Sequence, residues 1–347
     1  VATGPDGNAV ILRDFYAAAN PPELSTPGGA RISGEQVAAH ARPETPGQLA
    51  EALFGPGPAP VGTVETVSGS LGVNRADGIR IELGTGVLLA PLHHPLRIAE
   101  DAATVSLVSH GRFTLGLGLG WSEIEFSAFD ADRRRRGRAM DEILDILPQA
   151  WSGDVFEHHG EVYQLPELAV RPTPSARLPI VIGGGAEAAV RRAARKADGF
   201  FGNAPVDRFI EQIGWAVEEL EKAGRDPNEF RFLHYSILVP ADSIAAGWDE
   251  TGDHIWHLTW KYRDMGPSAN RPGPNPAAPP LTPDMQSKLA ERAAFVGPSD
   301  YIVEQLNTIR DAVGVNIDFM ARSFLHTLSF EHQVELMEQL ATEVAPH

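Results

Sequence analysis

The chain has 347 residues, of which 46 are acidic and 29 are basic, so its formal net charge is −17. This charge repels phosphate backbones, and nucleic acid is therefore not an expected partner. The absence of cysteine excludes disulfides, thiolate nucleophiles and zinc–thiolate sites. The longest apolar run, Leu83–Leu92, is about half as long as a bilayer span, and the first residues lack a signal-peptide layout. We expect a cytoplasmic enzyme with no membrane partner.

Residues 1–78 differ in composition from the rest of the chain. They contain 12 glycines and 9 prolines and few apolar runs. Weak helical patterns are confined to Ser33–His40 and Gly47–Phe54, and partial alternation of apolar and polar residues at Val61–Val67 favours a strand. We therefore treat residues 1–78 as an atypical N-terminal segment and residues 79–347 as the main body of the protein.

A regular alternation of strands and helices begins after residue 78. Ile79–Ala90 is mostly apolar, which is typical of a strand buried on both faces. Pro95 opens a helix that stops before Gly111, and Phe113–Leu119 is predicted as the next buried strand. A strand, a helix and a strand within about forty residues form a βαβ unit, so the sheet is predicted to be parallel.

The alternation continues to the end of the chain. Further strands are predicted at Ile180–Ile182, Gly199–Gly202, Arg231–Val239 and Val315–Arg322, with a polar hairpin at Val155–Leu165. Helices are predicted at Arg136–Trp151, Ala186–Ala197, Val206–Ala223, Trp248–Tyr262, Thr282–Phe295, Ser299–Ala312 and Phe330–Val344. The six strands after residue 78 form a closed (β/α)8 barrel only if the N-terminal segment adds two more, and a doubly wound open sheet is the alternative.

Three glycines alternate with larger residues along one predicted strand, at Gly116, Gly118 and Gly120. Side chains alternate along a strand, so these glycines are predicted to share one face. Such a face allows a flat ligand to lie against the backbone, or it marks the close approach of another segment of the chain. The pattern alone does not decide between the two.

A second glycine cluster, Gly183-Gly184-Gly185, lies between a buried strand and a helix that starts near Ala186. Backbone N–H groups of such a turn, together with the positive end of the helix, form a cradle for an anion, most naturally a phosphate. A plain strand-to-helix turn is the alternative. The histidines show no metal-ligand spacing, so no metal site is proposed.

Taken in order, several short motifs resemble those of the luciferase-like flavin monooxygenases. They are Leu83-Gly84-Thr85-Gly86-Val87, His94-Pro95, Ser109-His110-Gly111-Arg112-Phe113, the glycine strand ending at Trp121, Gly183–Ala186 with Ala197-Asp198-Gly199, and Val296-Gly297-Pro298. The resemblance covers residues 79–347. It implies a single (β/α)8 TIM-type barrel to which residues 1–78 contribute the first two strands.

The resemblance also assigns residues to a cofactor, either FMN or the deazaflavin coenzyme. Gly86 and Val87 would lie beneath the flavin ring, where the family often has a non-proline cis peptide bond. Leu119 and Gly120 would lie beside the ring and the ribityl chain, and His94 is the candidate acid–base group. The residues that would hold the phosphate are Gly184, Gly185, Ala186, Glu187 and Ala188.

The implied activity is a flavin-dependent oxidation of a small organic substrate, as a monooxygenase that uses reduced FMN and oxygen. A partner flavin reductase would supply the reduced FMN, and the family likeness implies a homodimer. Hydride transfer by the reduced deazaflavin is the alternative reaction. Because residues 1–78 lack the family's usual opening pattern, a barrel that binds flavin or another phosphorylated ligand without turnover is a further alternative. A phosphate-binding isomerase or hydrolase is favoured only if the site rejects flavin.

Overall fold

The computed structural model of the chain describes residues 80–268, 276–292, 294–322, 325 and 328–346, together with five short strands before residue 66. Four of these strands have two residues each and form two antiparallel pairs: Ala2–Thr3 with Ala9–Val10, and Leu24–Ser25 with Arg31–Ile32. The helices expected at Ser33–His40 and Gly47–Phe54 lie outside the described residues.

The main sheet consists of parallel strands that neighbour one another in chain order. Seven strands form this ladder: β1 (Thr63–Glu65), β2 (Arg80–Gly84), β3 (Phe113–Gly118), β4 (Ile180–Gly183), β5 (Gly199–Gly202), β6 (Arg231–Pro240) and β7 (Ile317–Arg322). Each step of the ladder is parallel. The order contains no reversal, which a doubly wound sheet requires, so the predicted barrel-type α/β architecture is confirmed.

A closed (β/α)8 barrel would have one more strand between β7 and β1. Of the two strands that we expected from residues 1–78, β1 is one and falls within the predicted Val61–Val67. The other expected strand lies outside the described residues. Within the described residues, β7 and β1 do not pair.

Helices connect successive strands. They are α1 (Pro95–Val108), α2 (Glu123–Ala128), α3 (Arg136–Ser152), α4 (Glu187–Lys196), α5 (Val206–Lys222), α6 (Ile244–Ser268), α7 (Pro283–Ala290), α8 (Ser299–Val313) and α9 (Phe330–Gln339). The predicted hairpin is present between α3 and β4, where Phe156–His159 pairs with Gln164–Leu168. None of the helices in the described ranges combines the length and the apolar character needed to cross a bilayer.

Most strands are rich in apolar residues because both of their faces are covered. Leu117, Ile182 and Phe200 belong to the large core between the sheet and the helices. Val181 and Leu233 belong to a smaller cluster, with Met320, on the opposite face of the sheet. This second face is the inside of the barrel-type sheet and carries the candidate site.

Two predicted elements are wrong in their extent. The strand predicted at Ile79–Ala90 is interrupted, because β2 ends at Gly84 and the chain then turns. A separate strand at Leu88–Leu89 pairs with the end of β3, and a 3₁₀ turn follows at Ala90–Leu92. An apolar run indicates that a segment is buried but does not show where the chain turns within it. The interruption therefore cannot be predicted from the sequence pattern.

The helix predicted at Thr282–Phe295 is also too long. Helix α7 ends at Ala290, and Ala294–Gly297 forms a short buried strand. This strand pairs with the last four residues of β6, from Ile237, the last residue of β6 that pairs with β7, to Pro240. A run of four residues is too short for its periodicity to distinguish a strand from a helix.

Candidate active site

The turn after β2 forms a bulge on the inner face of the sheet. Its residues are Thr85, Gly86 and Val87, and the Gly86–Val87 peptide bond is cis, at the position where the family resemblance implied one. The Thr85 hydroxyl donates a hydrogen bond to the Gly116 carbonyl at 2.7 Å and accepts one from the Gly116 N–H at 2.9 Å. The hydroxyl thus satisfies both backbone groups of Gly116 and fixes the bulge to β3.

The glycines of β3 provide the space that the bulge occupies. A Cβ atom at Gly116 would lie 1.8 Å from the carbonyl oxygen of Thr85, and one at Gly118 would lie 2.5 Å from Val87 Cγ2. A Cβ atom at Gly183, at the end of β4, would lie 3.0 Å from Val87 Cγ1. The interpretation of the strip as a direct seat for a flat ligand is therefore wrong for Gly116 and Gly118: the chain's own bulge covers them. A ligand on this part of the inner face would therefore contact the bulge and not the glycines of β3.

Leu119 and Gly120 follow directly at the end of β3. Leu119 is half-buried and packs against the outer core. Gly120 has a φ of +73°, and a Cβ atom there would lie 3.0 Å from Phe126 Cε2. Gly120 therefore belongs to a turn and not to the same strand face as Gly116 and Gly118. The assignment of Leu119 and Gly120 to the cofactor stays a prediction.

The residues predicted to form the anion cradle lie at the start of α4, adjacent to the bulge. Gly118 and Gly183 are register partners, so the ends of β3 and β4 lie side by side. The residues that follow, 184–188, are all exposed, and α4 begins without a side-chain cap. Within the described part of the chain, the N–H groups of residues 185–188 have no hydrogen-bond partner. Four such groups at the positive end of a helix are suited to bind a phosphate.

Gln212 of α5 supports this cradle. Its side chain is buried, and Nε2 donates a hydrogen bond to the carbonyl oxygen of Gly185 at 3.0 Å. Because this hydrogen bond directs the Gly185 carbonyl toward α5, the N–H groups of the neighbouring residues face the exposed side of the turn. Gln212 was not among the residues predicted from the sequence, although it is a polar side chain on the apolar face that Phe209, Ile213 and Ala216 define.

The bulge forms one wall of a cavity whose empty volume, including adjoining open space, is about 410 Å³. Its apolar lining includes Val181, Phe201, Leu233 and Met320. Polar groups close the end of the cavity that is nearest to the start of the strands. They are Glu82, which accepts a hydrogen bond from Thr114 Oγ1 at 2.6 Å, and Arg231, which pairs with Glu82 at 3.4 Å and with Asp318 at 2.9 Å.

His94 lies outside the residues that line this cavity. It is exposed and caps α1, because its Nδ1 accepts a hydrogen bond from the N–H of Leu96 at 3.3 Å. Its ring meets that of Tyr163 edge-on, with 5.9 Å between the centroids. A catalytic role for His94 stays a prediction, and the contacts described here are those of a helix cap.

The fold and the site define a class of protein: a barrel-type α/β chain with a bulge after its second described strand and a glycine-rich anion cradle two strands further on. The chain belongs to the luciferase-like monooxygenase family, whose model matches residues 75–316. This match agrees with the resemblance that the sequence motifs carry.

Individual relatives extend this comparison. The chain is 35% identical over 148 residues to an uncharacterised protein of Mycobacterium tuberculosis, covering 41% of this chain and 51% of that protein. It is 32% identical over 170 residues to an F420-dependent glucose-6-phosphate dehydrogenase of Nakamurella multipartita, covering 47% of this chain and 50% of that enzyme. The chain thus spans about half the length of these curated relatives.

Solved structures share the fold. The monooxygenase RslO1 from Streptomyces bottropensis superposes with a TM-score of 0.65 at 20% identity, covering 77% of this chain and 78% of that one. At this identity, the likeness supports the barrel fold and not a particular reaction.

Proposed function

We propose that the chain binds FMN or the deazaflavin coenzyme and acts as an oxidoreductase on a small organic substrate. The observation that carries this proposal is the adjacency of the bulge and the cradle. Val87 contacts the positions of both Gly118 and Gly183, and Gly183 leads directly into the unpaired N–H groups of residues 185–188. A ring on the bulge and a phosphate in the cradle can therefore belong to one molecule.

The residues of the site fit such a cofactor in chemical type. The inner side of the bulge and the apolar lining at Phe201, Leu233 and Met320 suit a flat, largely apolar ring. The N–H groups of Gly185 to Ala188 suit its phosphate, and the carbonyl of Gly185 is turned away by Gln212. When bound, a flavin supplies the redox chemistry, and the chain contributes binding, orientation and exclusion of water.

Two reactions are compatible with this site. Reduced FMN with oxygen would make the enzyme a monooxygenase, in keeping with the description of the family. Reduced deazaflavin would make it a hydride-transfer enzyme, in keeping with the F420-dependent relative from Nakamurella multipartita. A flavin reductase as partner and the pairing of two copies of this chain stay predictions from the family resemblance.

The proposal is tested by titrating the protein with FMN, reduced FMN and the deazaflavin, following ring fluorescence or absorbance. We expect binding of at least one of them in the micromolar range, and binding of none would overturn the proposal. Riboflavin, which lacks the phosphate, serves as the matched ligand and should bind more weakly than FMN. Product formation under argon with reduced deazaflavin would establish hydride transfer and exclude the monooxygenase reaction.

A further inference from the structure

The inner face of the sheet carries one cation near the carboxyl ends of its strands, within the described residues. Arg322 is the last residue of β7, two positions after Met320, which packs inside the sheet with Val181 and Leu233. Because side chains alternate along a strand, Arg322 lies on the same inner face as Met320. Phe201 and Tyr235 pack against the same cluster.

Arg322 contacts Tyr235 of the neighbouring strand β6. Its guanidinium carbon lies 5.7 Å from the ring centroid, within the range of a cation–π contact. Burial raises the pKa of Tyr235, an effect that the guanidinium partly offsets, so the phenol is a neutral donor near pH 7. Tyr235 therefore supplies a second hydrogen-bond donor at the same place.

The charge of Arg322 is not neutralised by an ion pair within the described part of the chain. Arg231, at the opposite end of the same sheet face, shows the contrast, because it pairs with both Glu82 and Asp318. A half-buried guanidinium among apolar side chains is costly unless an anion accompanies it. We therefore expect an anionic group that is not part of the described residues to bind next to Arg322.

The strand order separates this cation from the phosphate cradle. The bulge packs on β3 and β4, and the cradle follows β4. Strand β7 lies three steps beyond β4 in the ladder, on the other side of β5 and β6. In a barrel-type sheet, β7 therefore faces the bulge across the interior, and a molecule lying on the open side of a bulge-bound ring would meet Arg322.

We propose that Arg322 and Tyr235 form the subsite for an anionic group, a carboxylate or a sulfonate, on the organic substrate. This inference rests on the function proposed above, because it takes the bulge as the seat of the cofactor ring. The planar guanidinium can bind two oxygens of such a group at once, and the phenol can donate to one of them. Neither residue lines the cavity described above, but Phe201 and Met320, which do, belong to the same cluster as Tyr235 and would contact the apolar body of the molecule. The substrate class is thus an organic anion with an apolar body.

The test compares anionic and neutral probes by isothermal titration calorimetry, with the flavin-saturated protein and again without flavin. The probes are benzoate, benzenesulfonate and the uncharged benzamide. We expect the anions to bind more tightly than benzamide, and Arg322→Gln to weaken anion binding by about tenfold without affecting benzamide. Arg322→Lys should retain part of the affinity, since it keeps the charge but loses the two-pronged geometry.

Controls separate this inference from simple loss of folding and from failure of the proposed function. Arg310→Gln, at an exposed position of α8, should leave anion binding unchanged, and thermal unfolding should show that both glutamine variants are folded. Equal anion binding by the wild type and Arg322→Gln, or no anion binding by the wild type, would overturn the subsite. Loss of FMN affinity in Arg322→Gln with anion binding intact would also overturn it. If no flavin binds but the anions still depend on Arg322, the proposed function fails, and Arg322 remains an anion-binding site without its assignment to the substrate of a flavin enzyme.

Discussion

Gly118 determines how closely the bulge approaches the sheet. A Cβ atom at this position would lie 2.5 Å from Cγ2 of Val87, which is stiff because it is β-branched. We expect Gly118→Ala to reduce the free energy of unfolding by about 1–3 kcal/mol, the usual cost of overpacking. Because Val87 must move, we also expect weaker binding of FMN. Urea unfolding and a flavin titration measure the two effects.

Two further variants make this prediction specific. Val87→Ala removes the methyl groups that collide with the new Cβ atom, so Gly118→Ala should cost less stability in that background. Gly214→Ala is the matched control, because a Cβ atom at Gly214 meets nothing within 4 Å. It lies within helix α5, where alanine is favoured over glycine. Equal losses for Gly118→Ala with and without Val87→Ala would contradict the packing argument.

The same glycines show how much of the candidate site can be predicted from the sequence at the scale of single residues. The alternation at Gly116 and Gly118 indicated that something approaches the backbone closely, and this is correct. The identity of the approaching group depends on Thr85 and Val87, which lie about thirty residues away in sequence and reach β3 only through the fold. The position of Arg322 on the inner face could not be predicted from the sequence. A single arginine after a buried strand usually marks the point where the strand becomes exposed to solvent.

The cradle depends on two elements, the turn into α4 and the helix α5 behind it. Gln212 of α5 holds the carbonyl of Gly185, so Gln212→Leu should let the turn reorient. We expect a loss of FMN affinity of about three- to tenfold, in line with one hydrogen bond of 0.5–1.5 kcal/mol. Riboflavin affinity should not change, since riboflavin has no phosphate, and fluorescence titration of both ligands measures the difference.

Gln149→Leu provides the control for this prediction. Gln149 also donates from Nε2 to a backbone carbonyl, that of Asp145, but it is exposed on α3 and remote in sequence from the cradle. Its replacement should leave both affinities unchanged. If Gln212→Leu weakened riboflavin and FMN to the same degree, its role would be the packing of α5 and not the support of a phosphate site.

At the scale of elements, the sequence predicted most helices and strands to within a few residues. The amphipathic spacing of α5 and the proline at the start of α1 indicate their elements directly. The two errors, at Ile79–Ala90 and Thr282–Phe295, share one cause. In both segments the chain changes direction within one predicted element, and the pieces on either side of the turn are too short for their periodicity to reveal it.

The response of the whole molecule to pH combines groups that titrate in different ranges. Burial works to raise the pKa of Glu142, but hydrogen bonds from the N–H groups of Tyr163, Val162 and Glu161 and from His158 hold it below its usual value. Its folded pKa is depressed, so its contribution to stability is present above the unfolded pKa of 4.5 and is lost as the pH falls further. Glu142 therefore does not account for a loss of stability between pH 7 and pH 5.

His234 is the group that we expect to cause a loss of stability in this range. Burial lowers its pKa from 6.5 to about 4, while a hydrogen bond to the carbonyl of Ala204 acts in the opposite direction. The neutral ring donates from Nε2 to Ala204 at 3.1 Å and accepts from the Ser236 hydroxyl at Nδ1 at 2.7 Å, so it joins β6 to the loop after β5. Its folded pKa is depressed, so protonation favours the unfolded state, and the stability present above pH 6.5 declines as the pH falls toward 4.

This linkage predicts a loss of about 2 kcal/mol in the free energy of unfolding between pH 7 and pH 5, measured by urea unfolding followed by tryptophan fluorescence. His234→Gln does not titrate, so its stability should be lower at pH 7 but should change much less over the same interval. His257→Gln, at an exposed position of α6, should follow the wild type. Hydrogen bonds with Gln164 and Glu157 raise the pKa of the exposed His159, which therefore acts weakly in the opposite direction. An equally steep decline in His234→Gln would show that the pH sensitivity of the fold resides elsewhere.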